Sequence, residues 1–384
     1  MPRPLYFDCN ATTAVHPRVL AAMLPFFADR PGNPGCAHEV GLDARQAMEC
    51  ARAQVAALLG MEQAAGVVFT GGATEANHLA VLGTFMRECQ TGPGWLAVSA
   101  VEHPAVLGPA RVLERRGVQV VALPVDARGV VERAALEEAL HRSRDAEGPK
   151  LVSVMLANNE TGVLQPVAEI AALAHAHGAL LHTDAAQAVG KIPVNLPALG
   201  ADYLTIAGHK MYAPKGVGAL VCASAAARER LSPLVFGGGQ EGGLRSGTEN
   251  IPLIVALGEA CALAAADLPA EAERQAALAG ILLDALTAAG VAFVVHGQEA
   301  PRLPQTLSLG LTGRRAGDVL SGLVMEDVAV SGGAACHGGT ASMSGVLQAM
   351  GVDPRHGLGT VRISWGRFTT VADMQELAAR LVRV

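Results

Sequence analysis

Two side chains in this sequence have the setting of nucleophiles. Cys336 lies in SGGAACHGG, Ser331 to Gly339, where a chain can bend, move or approach another group closely. A structural cysteine is expected inside an apolar element instead. Lys210 lies in TIAGHKMYAPKGVGAL, just after a core-like strand, with polar or tight-turn residues on both sides. A solvated loop lysine fits that pattern. So does a Schiff-base lysine, poised by partial desolvation and held near a phosphate.

The ends of other strand-like runs carry groups that would suit such a lysine. Asp184 and Gln187 follow ALLHTD, Asn158 and Asn159 follow LVSVMLA, and His103 stands in VEHPAV. FTGGATEANHLAV turns from strand to helix through Gly71, Gly72 and Thr74. Outward-pointing amides at a helix start, with a threonine hydroxyl beside them, suit a phosphate. Taken singly, Thr74 and Asp184 could be helix caps and His103 part of a turn. Open parallel sheets, however, bind ligands beyond the carboxyl ends of their strands, where all these residues fall. Periodicity alone does not name the ligand.

The elements that must position these groups follow from hydrophobic patterning. GVVFT, WLAVSA, VQVVALP, LVSVMLA, ALLHTD, DYLTIA and GALVCA read as strands buried on both faces. Helical stretches near residues 75–86, 131–142 and 167–177 separate several of them. That rhythm predicts an α/β fold with a mainly parallel sheet covered by helices. VHPRVLAAMLPFF and residues 43–60 also read as helices, the second on the spacing of Ala44, Ala47, Ala51, Val55 and Leu58, with Gly60 as a stop. After IPLIVALGEACALAAA two helical stretches are expected, the second around residues 271–289. Short strands at QTLSLG, VAVSG and VRISW and a final helix, VADMQELAARLVRV, complete a smaller α+β unit. The expected division is residues 15–256 against residues 1–14 with 257–384.

Composition narrows the function classes. The 384 residues are 51% hydrophobic and 17% charged, ample for a large core. Lysine and arginine total 29 against 35 acidic residues, a formal charge of −6, and aromatics make up 3%. Without a basic block or stacking platform, a nucleic-acid partner is not expected. No signal-like start and no run of about 18 apolar residues is read, so a cytoplasmic protein without membrane association is expected. Seven dispersed cysteines with no CxxC pair support neither a disulfide framework nor structural zinc; most read as small buried hydrophobes. GGGQEG, Gly237–Gly242, fits GxGxxG but leads into GLRSGTENIP rather than a long apolar helix, so it is not read as a dinucleotide motif. His175 and His177 in AALAHAHG read as solvated or capping residues.

Lys210 and Cys336 together resemble the NifS-like cysteine desulfurases, class V aminotransferases of fold type I. The resemblance runs in family order from DCNATT to VRISWGRFTT. It implies a pyridoxal 5'-phosphate-dependent homodimer with a large cofactor domain and a small domain built from both termini. Lys210 matches the lysine that forms the internal aldimine, and His103 the histidine stacked over the pyridine ring. Asp184 matches the partner of the pyridinium nitrogen, Gln187 the contact to the phenolic oxygen, and Asn159 a residue positioning cofactor and substrate. Thr74 and His209 match phosphate contacts, with Ala73 counted among the cofactor-binding residues. Thr248 in GLRSGTEN matches a phosphate contact supplied across the dimer. Arg362 matches the arginine that grips the substrate carboxylate, and Asn33 in PGNPGCAHEVG a turn near the site. Cys336 matches the thiol that takes sulfur from L-cysteine as a persulfide, leaving L-alanine.

Two departures from the family pattern stand out. Ala207 occupies the place, three residues before the lysine, where the family commonly has serine, which removes a phosphate donor. SGGAAC and HGGTASMSG replace the more hydroxyl-rich setting of the thiol, and His337 makes the Cys-His pair of selenocysteine lyases. Selenocysteine lyase is therefore the nearest alternative, and a non-catalytic binding or assembly protein on the same scaffold a second. By resemblance the sulfur acceptor is an iron–sulfur scaffold or another small carrier protein, for cluster or thio-cofactor synthesis. No resident metal is expected, although Cys336 is a candidate transient iron–sulfur ligand.

Overall fold

A computed structural model describes residues 4–87, 90–91, 93–332 and 343–384. Its centre is a seven-stranded sheet: β1 Val67–Thr70, β2 Trp95–Ser99, β3 Gln119–Leu123, β4 Lys150–Ser153, β5 Leu180–Asp184, β6 Tyr203–Ala207 and β7 Gly218–Cys222. These are the seven apolar runs read from the sequence. The order is β1-β7-β6-β5-β4-β2-β3. β7 alone runs against its neighbours, in register Gly218↔Thr70 and Gly218↔Ala207, while β2 to β6 pair in parallel. The carboxyl ends of β1, β2, β4, β5 and β6 therefore share one edge.

Helices cover both faces. On one face lie α1 Glu39–Leu58, the helix Arg133–Arg142, α4 Val167–Ala176 and the first half of α5 Ile251–Ala288; Val55, Ile170 and Leu257 share a core there with Val67, Phe69 and Val152. On the other lie α2 Ala73–Phe85 and α3 Pro104–Arg115, whose Leu79 and Val106 pack with Val68, Leu96 and Leu220. The alternation of Val67, Val68 and Phe69 between the two cores is the period-2 signature of a strand buried on both faces.

The separate helical stretches expected around and beyond IPLIVALGEACALAAA, the second near residues 271–289, are parts of one helix of 38 residues, a correction to the sequence reading. Pro269 lies inside it, and a proline there reads as a break because it lacks the donor and clashes with the preceding turn. Packing overrides that local cost. The helix lies against α1 at one end and α6, Val371–Arg383, at the other. Its first half is buried in the sheet core, while Leu278, Leu282 and Leu286 enter a separate core with Trp365 and Leu377. By length and composition this helix could cross a membrane, yet 56% of its apolar window is buried inside the protein.

That separate core backs an antiparallel sheet, β8 Phe293–Val295, β9 Thr306–Leu311 and β10 Thr360–Ser364, in the order β8-β9-β10. β8 was not foreseen from the sequence. The N-terminal Leu5–Tyr6 pairs in parallel with Val328–Ala329 beside it.

Candidate active site

A cavity of about 1020 Å³ opens beyond the carboxyl edge of the central sheet. Ala73, Thr74, His103, Asn159, Asp184, Gln187, His209, Lys210 and Arg362 all line it. Strand ends, and the turns directly after them, deliver every one except Arg362, which comes from β10 of the small sheet. Thr248 and Asn33 are exposed and do not line it. Asn33 instead closes its own turn, its Oδ1 accepting from the Gly35 amide at 2.8 Å. Cys336 and His337 lie outside the described residues.

Asp184 is fixed at the cavity floor. Asn77 Nδ2 donates to its Oδ2 at 2.6 Å and the Ala186 amide to its Oδ1 at 2.9 Å. Asn77 was missed by sequence reasoning, although it lies three residues beyond Thr74 on the same helix, a spacing that shares one face. His103 caps α3: its Nδ1 accepts from the Ala105 amide at 3.1 Å. A ring nitrogen that accepts carries no hydrogen, so the neutral imidazole holds its proton on Nε2. Burial lowers the His103 pKa, the nearby Lys210 charge adds to that, and Asp184 opposes it. The neighbouring Glu102 is also buried, and its Oε1 accepts from the Met155 amide at 2.6 Å. Burial holds its carboxyl well above the usual range.

A second group of residues comes from the N-terminal segment Asp8–Thr13, the DCNATT block, to which the sequence reading gave no role in the site. It forms a strap whose Asn10, Ala11 and Thr12 line the cavity. Lys210 Nζ donates to the carbonyl oxygens of Asn10 and Ala11, the latter at 3.0 Å. Gln187 Nε2 donates to the Asn10 carbonyl at 3.0 Å. Asn10 Nδ2 reaches Thr306 Oγ1 at 2.9 Å and the Asn159 carbonyl at 3.2 Å. Arg362 donates from Nη1 to that same Asn159 carbonyl at 3.0 Å and from Nη2 to Asp8 Oδ1 at 2.6 Å. Its buried Nε has no partner among the described residues. Thr13 pins the strap to the loop holding the lysine, its amide and its Oγ1 both donating to the His209 carbonyl, at 2.8 and 3.0 Å.

Burial, more than any neighbouring charge, sets the lysine's chemistry. Burial, with Arg362 adding to it, lowers the Lys210 pKa to about 8, against the opposing pull of Asp184 and Asp8. Burial and the charges of Lys210, Lys215 and Lys191 push His209 down to about 4.

The residues present fit pyridoxal phosphate. α2 starts at Gly72, whose φ of 148° favours glycine, and no side chain caps the helix. Its first amides are thus free for phosphate, with the Thr74 hydroxyl beside them. Asp184 offers a fixed carboxylate for a pyridinium nitrogen and Lys210 an amine for an aldehyde. Ala207 presents only a methyl group to the cavity, so the missing hydroxyl noted in the sequence is a property of this wall.

Known proteins resemble this chain along nearly its whole length. The family model "Aminotransferase class-V" matches residues 5–377. The cysteine desulfurase of Gluconacetobacter diazotrophicus is 42% identical over 97% of this chain and 91% of its own length. A solved NifS-like protein superposes with a TM-score of 0.88 at 34% identity, covering 99% of this chain and 98% of that one. SspA, solved in complex with cysteine, gives a TM-score of 0.80 at 33% identity over 95% and 99% of the two chains. The chain belongs to the class V aminotransferases, and within them to the NifS-like cysteine desulfurase family.

Proposed function

We propose that this chain is a pyridoxal-phosphate-dependent cysteine desulfurase. L-Cysteine and the Cys336 thiol give L-alanine and a Cys336 persulfide, whose outer sulfur passes to an acceptor. The carrying observation is the convergence of Lys210, Asp184, His103 and Arg362 on one cavity in a chain of this family. The bound cofactor supplies an electron sink that acidifies the substrate Cα–H.

The chain's own residues do the rest. Asp184, held by Asn77 and the Ala186 amide, would offer a fixed carboxylate to the pyridine nitrogen. Arg362, which lines the cavity with its guanidinium plane fixed by the Asn159 carbonyl and Asp8, offers its charge to the substrate carboxylate. Lys210, with a pKa of about 8, has a substantial neutral fraction near neutrality. Its Nζ would be the amine that holds the cofactor's aldehyde, and the free amine would accept the Cα proton. His103 presents an Nε2–H as a proton donor. Cys336, as a thiolate, attacks the substrate sulfur; its carbon–sulfur bond breaks, and the electron pair left on the alanine fragment is protonated. Transfer to an iron–sulfur scaffold or small carrier, a homodimer in which Thr248 serves the partner's phosphate, and a cytoplasmic location complete the proposal. The exposure of Thr248 in the single chain supports its part.

The test supplies cysteine and selenocysteine separately to purified protein and measures alanine with released sulfide or selenide. Wild type should be yellow and form alanine from cysteine, and Lys210→Ala should lose both colour and turnover. Cys336→Ala should keep the colour and lose persulfide formation. A colourless wild type, or full cysteine turnover by Cys336→Ala, refutes the assignment. A strong preference for selenocysteine moves it to the lyase.

A further inference from the structure

We propose that Lys191, which lies behind the cavity wall and outside its lining, is a positioning residue that locks the Gln187 side-chain amide with its NH₂ group toward the cofactor's ring oxygen. This rests on the assignment of the cavity to pyridoxal phosphate.

The orientation follows from donor and acceptor chemistry. Lys191 Nζ donates to Gln187 Oε1 at 2.8 Å, and Gln187 Nε2 donates to the Asn10 carbonyl at 3.0 Å. A carbonyl can only accept, so the Asn10 contact fixes Nε2 toward it and settles an amide whose two ends are otherwise interchangeable. Lys191 Nζ, a donor whether charged or neutral, then holds Oε1. Flipping the amide would set oxygen against the Asn10 carbonyl oxygen and NH₂ against the Lys191 N–H donors. The turn after β5 makes the pairing possible: the Lys191 amide donates to the Ala188 carbonyl at 3.0 Å, and Gly190 at φ 76° bends the chain so that residues four apart meet.

One Gln187 hydrogen is occupied by Asn10, and the other remains for the cavity. Gln187 is thereby a donor to whatever lies beside it, which favours a ring oxygen that is ionised and can only accept. Burial, with Lys210 and Arg362 adding to it and Cys9 opposing, lowers the Lys191 pKa to about 7, so its charge acts in the same direction through the amide at the acid end of the range, and its N–H donation persists above it. Both effects stabilise the ionised ring oxygen, weaken its hold on the neighbouring nitrogen proton, and lower the pH at which that proton leaves.

The experiment is a visible-absorbance titration of the full-length, cofactor-loaded protein from about pH 6 to about pH 10, which reads the bound cofactor without turnover. Lys191→Met, which removes charge and donor, should raise the absorbance midpoint by roughly one pH unit. Lys191→Gln, which keeps a donor, should raise it less, and Lys191→Arg should restore it. If Lys191→Met does not fold, the Gln and Arg variants carry the comparison. Loaded variants that all titrate with wild type, whatever their melting temperatures, overturn this inference alone. A wild type that takes up no pyridoxal phosphate overturns it together with the assignment of the cavity.

Discussion

At the scale of single residues, the site depends on how strongly its surroundings hold Lys210 deprotonated. Its pKa of about 8 sets a pH dependence with a definite sign. The neutral amine is the nucleophile, so capture of added pyridoxal phosphate by cofactor-free protein should accelerate about tenfold per pH unit below pH 8 and level off above it. Stopped-flow absorbance measures this, and a rate flat from about pH 6 to about pH 9 would contradict the lowered pKa. Lys210, Asp184, His103 and Thr74 were legible because each follows an apolar run and so had to lie at a strand's carboxyl end. Asp8, Asn10 and Lys191 were not. Their roles rest on hydrogen bonds closed by the tertiary fold, and Asn10 acts partly through its carbonyl, which every residue type carries.

At the scale of elements, the loop that imitates a dinucleotide motif has a structural task. Glu241 in GGGQEG is buried at φ 50°, and both its oxygens pair with the buried Arg52 at 2.8 Å. The same carboxylate accepts from the Phe69 amide at 2.9 Å, and Arg52 also donates to the Val67 carbonyl at 2.6 Å. One ion pair thus joins α1, β1 and the loop leading to Thr248. Arg52→Ala leaves a buried carboxylate without its cation and should cost about 3–5 kcal/mol by urea denaturation. Adding Glu241→Gln should recover part of that loss. The polar GLRSGTEN directly after the loop argues against reading it as a dinucleotide motif. It could not reveal the ion pair, because Arg52 is 189 residues away from Glu241.

At the scale of the whole molecule, α5 is the common beam. The division expected near residue 257 falls inside it, and its two halves are buried in different cores. Trp95 lies in the sheet core and Trp365 in the small one, and the chain has two tryptophans in all. A shared helix couples the cores, so Trp95→Phe and Trp365→Phe variants, each reporting on one core, should show coincident denaturant transitions. Separated midpoints would show lobes that unfold independently. The helical stretch read around residues 271–289 matches the C-terminal end of this helix at Ala288. Its continuity through Pro269 was hidden, since local propensity argues for a break and only packing against α1 and α6 overrides it.

The strap that lines the active site also bears on biosynthesis. Asp8 and Asn10 bond to Arg362 and Ser364 across 354 residues of sequence, and Lys210 finds its carbonyl acceptors 200 and 199 positions upstream. A ribosome delivers the strap first and its anchors in β10 last, so a growing chain holds the lysine long before the pocket around it can close. Yellow colour acquired during synthesis is then a timestamp of completed folding, and the vitamin-derived cofactor in effect inspects the finished chain.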